Sequence, residues 1–167
     1  MQPAQINTPA ETTVEVVRSF DGPIETVWRP FTDAEVMRRW MMGPPGWSMP
    51  VCEMDFQPGG AYENVFRNDK DGSQITITGR IREIEHHRRL VLAERHSLGD
   101  RSDADTHATT VTFTFESTKD RTTVTTLIKY ASQAARDEAL SMQMGAAMET
   151  GYCRIDDWLR LQAPKNG

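Results

Sequence analysis

Cysteine is scarce in this chain: two residues in 167, Cys52 and Cys153, with no C-x-x-C spacing. That excludes a disulfide framework and fits a reducing compartment. Long hydrophobic runs are missing as well, since every apolar stretch falls far short of the roughly 18 residues needed to cross a bilayer. The N-terminal MQPAQINTPAETT has neither a basic start nor an apolar stretch of the kind that export signals carry. Membrane insertion and export are therefore not expected, and a cytoplasmic location follows by elimination. Basic charge is not in excess: 19 Lys and Arg stand against 24 Asp and Glu, net −5, with no block of like charge. Nucleic-acid binding driven by phosphate contacts has no footprint here. Serine-centred hydrolase elbows, phosphate loops and dinucleotide fingerprints are lacking too. Pro58-Gly59-Gly60 leads into a strand pattern, whereas a phosphate cradle needs a helix start. No cofactor is expected.

What is present is one domain's worth of chain, 38% hydrophobic with 11 glycines, at the lower edge of the globular range. Residues 1–11 read as a loose polar arm, and the domain proper as 12–163. TTVEVVRSF alternates and is β-branched, then Asp21-Gly22-Pro23 ends the strand at Phe20. Two short helices follow. One opens at about Pro23 and runs through Val27 and Trp28; the other is capped by Thr32 or Asp33 before AEVMRRWM, and both end before Gly43. After the irregular GPPGW, alternation predicts strands at 48–56, 61–67, 73–84, 89–96, 108–117 and 122–130. Turn residues lie between them, among them Asp69-Lys70-Asp71-Gly72, His86-His87 and Lys119-Asp120. Such short links imply an antiparallel meander. The polar link Ser97–Thr106 reads as a mobile hairpin tip. From Ser132 the period changes. Leu140, Met144, Met148, Gly151, Ile155, Trp158 and Leu159 recur at helical spacing, predicting one long amphipathic helix to about Gln162.

The expected fold is α+β: a curved seven-stranded antiparallel sheet gripping a long C-terminal helix, with two short helices between strands 1 and 2. A twisted sheet wrapped on a helix leaves room between them, so a site should lie in that interior. The order and motifs resemble the START-like superfamily with its helix-grip fold, and within it the family similar to the activator of the heat-shock protein 90 ATPase. The resemblance rests on Val14–Phe20 leading into Pro23-x-x-x-Val27-Trp28, Phe31-Thr32-Asp33, Trp40, Gly43 and Trp47, and Asp55-x-x-Pro58-Gly59-Gly60. Asp71-Gly72, Gly79-x-Ile81, Arg89-Leu90-Val91, Val111-Thr112-Phe113, Gly151-Tyr152 and Asp157-x-Leu159 extend it over about residues 12–162. It implies a domain that binds or converts a small apolar or lipid-like molecule, in a setting linked to stress. The chaperone-activating role is not carried over, because it calls for an additional N-terminal domain. Two positions depart from the family pattern: Tyr152 stands where Trp or Met is usual, and Asp156 where an apolar residue is usual.

Methionines and tryptophans, among them Trp28, Trp40, Met41, Met42, Trp47, Met49, Met54, Met144 and Met148, fall in segments that the resemblance places around the cavity. Ordinary core filling is the alternative for each. Alternation directs inward Tyr62, Asn64 and Phe66; Leu90, Leu92, Glu94 and His96; Val111, Phe113 and Phe115; and Val124, Thr126, Ile128 and Tyr130. Glu94 and His96 then share a face about 7 Å apart along their strand, within reach of Tyr62 or Tyr130. A carboxylate and an imidazole in an apolar room have the elements of general acid–base catalysis; the plainer reading is that they orient a guest. The expected ligand walls are Trp40, Trp47, Tyr62, Phe66, Glu94, His96, Phe113, Met144, Met148 and Tyr152, with Glu94 and His96 the catalytic candidates. His96, His107, Asp100, Asp103 and Asp105 gather around one loop, but their spacing matches no metal template, so no metal site is assigned. Cys153 reads as a buried, inert thiol. Three functions follow in order: a binder of a small apolar molecule, a cyclase, dehydratase or hydrolase using Glu94 and His96, and a module docking a chaperone or regulator through the 97–106 loop. A homodimer is left open.

Overall fold

The computed structural model describes residues 2–98 and 108–163. Eight strands and four helices follow in the order β1 (Gln5–Asn7), β2 (Thr13–Asp21), α1 (Ile24–Thr32), α2 (Ala34–Trp40), β3 (Trp47–Met54), β4 (Ala61–Asn68), β5 (Gln74–Glu85), β6 (Arg89–Leu98), β7 (Thr109–Thr118), β8 (Arg121–Lys129), α3 (Gln133–Ser141) and α4 (Met144–Gln162). The strands form a single antiparallel sheet ordered β1-β2-β8-β7-β6-β5-β4-β3. α4 lies across its inner face, giving an α+β helix-grip fold.

Local chemistry sets the boundaries. Pro23 precedes α1 in an extended conformation, and its carbonyl accepts the Val27 N–H at 3.0 Å. Asp33 caps α2 by accepting the Glu35 N–H at 3.0 Å, leaving Trp40 at the end of the helix, where its indole N–H reaches the Pro30 carbonyl at 2.7 Å. In β2 the inward positions Val14, Val16, Arg18 and Phe20 are all buried, as period-two alternation requires.

Three expectations are corrected. The sheet has eight strands rather than seven, because Gln5–Asn7, inside the segment read as a loose arm, pairs with Glu15–Val17 of β2. Ile6 anchors this strand: its Cδ1 occupies the space a Cβ at Gly145 would take, 1.9 Å from that position, and the Ala4 N–H donates to Glu149 Oε2 at 2.8 Å. The single C-terminal helix is in fact two. Ser132 caps α3 through the Ala135 N–H at 3.1 Å, but Gln143 takes a left-handed conformation, φ 55°, and α4 starts afresh at Met144. Cys153 is exposed, and the buried thiol is Cys52.

Candidate functional site

The inner face divides along α4. Towards its C-terminal end the helix is sealed. Tyr152, Ile155, Trp158 and Leu159 are all buried against Val14, Val16, Phe20, Phe31 and Val124. Tyr152 meets Phe20 edge-on, with centroids 5.5 Å apart, and lies 6.2 Å from Trp40. Gly151 allows this closeness, since a Cβ there would come 3.1 Å from Trp40 Cε3. Asp156, the charge at a normally apolar place, is buried here with Arg18: Nη2 to Oδ2 is 2.6 Å, and Glu149 adds bonds to the guanidinium at 3.2 and 3.3 Å. Burial pushes the Asp156 carboxyl up against the pull of Arg18. Burial also acts on Glu149, but the Arg18 and Ala4 hydrogen bonds outweigh it and hold that carboxyl below its ordinary range.

Towards its N-terminal end the helix does not seal. Met144 and Met148 of α4, Trp40 of α2, Met54 of β3, Ile77 of β5, Phe113 of β7 and Tyr130 after β8 pack against the core but are each only partly buried. Within this region β4, β5 and β6 assemble a polar chain. The registers pair Tyr62 with Gly79 and Gly79 with Glu94. Because Gly79 has no side chain, the Tyr62 ring lies over it, at 2.4 Å from where a Cβ would stand. The Tyr62 hydroxyl thereby reaches across one strand and donates to Glu94 Oε2 at 2.7 Å. Glu94 Oε1 lies 3.1 Å from His96 Nε2. The Glu94 side chain is 15% exposed and the His96 side chain 51%, so the chain runs from the interior to the rim.

Burial, reinforced by the Glu94 carboxylate, pushes the Tyr62 phenol far above its usual range, so its proton stays on the tyrosine. The same two causes, burial first, push Tyr130 up to about 12. Tyr130 has a weak partner, the Met144 thioether at 3.3 Å, which leaves its hydroxyl a donor able to turn to a better acceptor.

The structure brings together Tyr62, Glu94 and His96, and places Trp40, Phe113, Met144, Met148 and Tyr152 with Tyr62 in one apolar cluster. Trp47 and Phe66 belong instead to a second cluster, with Met37, Met49 and Cys52, to which Met54 and Ile77 are common. The expected ligand wall is thus split between two apolar clusters, and Tyr62, Phe66 and Tyr152 are buried core. Trp28 is core as well; His86, exposed, and His87, half-buried, sit in the turn after β5 with their rings edge-to-face to Trp28 at 5.6 and 5.8 Å. A groove of about 770 Å³ is lined by Met54, Tyr62, Gly79 and Glu94 together with Glu53, Glu63, Thr78, Arg80, Arg82, Ala93 and Arg95 of the opposite phase; no α4 residue lines it. Its charge is mixed, and it shares Tyr62, Gly79 and Glu94 with the polar chain. Among the described residues no group of His, Cys, Asp and Glu could hold a metal ion. His107, Asp100, Asp103 and Asp105 lie outside those residues.

Sequence reasoning missed Arg18 and Gly79. A signal existed for the first, an arginine in the apolar phase of an alternating strand. For the second it was a glycine amid β-branched residues, where close approach is the usual cause.

Comparison with known proteins adds the lineage. Residues 21–159 match the family described as activator of Hsp90 ATPase homolog 1-like protein. The chain belongs to that family. No curated protein matches it. Among solved structures, a Rhodobacter sphaeroides protein superposes with a TM-score of 0.86 at 26% identity, covering 96% of this chain and 99% of its own. Ms6760 from Mycobacterium smegmatis gives 0.81 at 20% identity, covering 94% and 97%. NE0264 from Nitrosomonas europaea gives 0.77 at 21%, covering 93% and 98%. Family and fold together make this a ligand-binding type of domain. Among the described residues no helix is long and apolar enough to cross a membrane.

Proposed function

We propose that the protein binds a small, largely apolar molecule between the N-terminal half of α4 and strands β4–β8. The observation that carries this reading is the contrast along one helix. Side chains of the same inward phase are fully buried at one end, yet Met144, Met148, Phe113, Tyr130 and Ile77 stay partly open at the other. Apolar surface left open beside a well-packed core is surface that a guest can cover, at roughly 25 cal/mol per Å². Methionine suits this purpose because its unbranched, polarizable chain adapts to guests of different shape. Tyr130, with only a thioether partner, offers a donor to the guest's polar group.

The test is native mass spectrometry of protein purified from its source, followed by competition with 1-octanol. The expected result is a co-purifying compound that octanol displaces and that a Met148→Trp variant, folded but with its mouth filled, no longer carries. A chain that carries nothing and binds no octanol would refute the reading.

Catalysis is the second reading, and the Tyr62–Glu94–His96 chain is what favours it. Glu94 and His96 would exchange a proton with a bound ketone or ester, while Tyr62 keeps its own proton and holds the carboxylate in place. Glu94→Gln would then abolish turnover and leave affinity within about tenfold, or 1.4 kcal/mol.

A further inference from the structure

The polar groups of the inner face are unbalanced in a way that specifies the guest. Asn64, on the same face of β4 as Tyr62, is 3% exposed, and its Oδ1 is buried with no hydrogen-bond partner. An orphaned amide oxygen in an apolar interior is costly and calls for a donor. Asn64 pairs in register with Ile77, and Ile77 with His96, one row along from the Tyr62–Gly79–Glu94 row. Glu94 and Asn64 therefore lie diagonally across the same stretch of β5, with backbones roughly 12 Å apart and side chains on the same face. A carboxylate has about four acceptor sites, and Tyr62 and His96 occupy two of them.

Arg80 and Arg95, the arginines beside this patch in the sheet register, stand in the strand phase opposite to Gly79 and Glu94, and three arginines of the helical side are committed elsewhere. Arg18 pairs with Asp156 and Glu149, Arg38 donates to the Cys52 carbonyl at 3.0 Å, and Arg154 donates to the Trp40 and Gly43 carbonyls at 3.1 and 2.7 Å. Tyr130, close enough to Glu94 for the carboxylate to raise its phenol, and the Met144 thioether at 3.3 Å from the Tyr130 hydroxyl give the patch an aromatic and thioether wall, a surface that favours a cation over an anion. We infer that the guest carries a hydrogen-bond-donating cationic head, an aliphatic or aromatic amine in its ammonium form, with Glu94 as counter-ion and the Asn64 amide oxygen as second acceptor.

This inference rests on the apolar-guest reading, and one experiment separates the two. Octylammonium, 1-octanol and octanoate share an eight-carbon chain and differ only in the head group. Isothermal titration of each into the full chain at fixed ionic strength is expected to rank them in that order, with octylammonium at least tenfold tighter than octanol. Glu94→Gln is expected to bring octylammonium down to the octanol level. Asn64→Asp, which keeps the side-chain shape, is expected to widen the ammonium preference. Octanol binding with no head-group preference, tighter binding of octanoate, or an ammonium preference that survives Glu94→Gln would overturn the inference and leave the apolar-guest reading in place. Failure of all three ligands to bind would overturn both.

Discussion

The two ends of α4 share one helix, one sheet and one inward phase, yet they are built for different tasks. At the C-terminal end, Tyr152, Ile155, Trp158 and Leu159 are all buried, and Asp156 pairs with Arg18 through Oδ2 while its Oδ1 is buried without a hydrogen-bond partner. At the N-terminal end, methionines replace aromatics and branched residues, and a carboxylate is held by a tyrosine and a histidine instead of an arginine. Where polar groups meet a guanidinium the side chains around them are buried; where they meet a phenol and an imidazole the neighbouring apolar side chains are only partly buried.

The comparison breaks first at Arg18. Arg18→Met leaves Asp156 and Glu149 without their cation and is expected to cost about 3–5 kcal/mol, whereas Arg18→Met combined with Asp156→Leu recovers most of it. Urea unfolding of the three proteins checks this, and equal losses in the single and double variants would contradict it. Next comes the packing contrast. Ile155→Ala should cost about 2–5 kcal/mol, the range for large-to-small changes in a sealed core. Met148→Ala should cost clearly less, because its surroundings are already open; the two denaturation midpoints give the difference directly.

Gly79→Ala brings a Cβ within 2.5 Å of the Tyr62 hydroxyl and 2.6 Å of the Ala93 carbonyl oxygen. A loss of about 1–3 kcal/mol is expected from the overpacking, together with release of Tyr62 from Glu94, visible as a fall in the Tyr62 pKa by NMR titration. Alkaline pH sharpens the comparison from the sealed side. Tyr152 is pushed up to about 12 by burial, partly offset by its Thr126 hydrogen bond, and Tyr130 to about 12 by burial and Glu94. Both values exceed the roughly 10 of an unfolded tyrosine. The folded state therefore holds these protons more tightly. Their contribution is complete below about pH 10 and is lost as pH rises through 12, and Tyr152→Phe should flatten that decline. The smallest effect is expected at Gly145. The clash of a new Cβ is with the tip of Ile6, an exposed and movable side chain, and the helix gains up to about 1 kcal/mol from alanine. Gly145→Ala should leave overall stability nearly unchanged while loosening β1, seen as faster hydrogen exchange at Gln5–Asn7.

Much of this design was readable in the residues. The six strands from β3 to β8 follow period-two alternation between turn residues, and their phase placed Glu94 beside His96 correctly because the β5 bulge lies beyond Gly79, between Ile81 and Glu83. The inward phase of Tyr62, Asn64 and Phe66 held for the same reason. What escaped was non-local. β1 has three exposed residues and no pattern of its own; it exists because Ile6 finds the Gly145 notch and Ala4 finds Glu149. The break between α3 and α4 falls at Met142 and Gln143, with Gly145 just beyond it as the one local sign, and Gln143 adopts a left-handed conformation that its residue type does not signal. Asp156 stood out as a misplaced charge, but only the sheet register, which sets Arg18 on the inner face of β2, shows what it meets. Trp47 and Phe66 were assigned to the same wall as Met144. The second apolar cluster that claims them depends on how α2 sits on β3, which periodicity does not encode.

The nine methionines provide a direct test of where the interior is open. With their methyl groups carbon-13 labelled, titration with 1-octanol should shift Met144 and Met148, and more weakly Met54, while leaving Met37 and Met49 of the second cluster where they are. Uniform small shifts, or shifts confined to Met37 and Met49, would contradict the assignment of the binding mouth to the N-terminal half of α4.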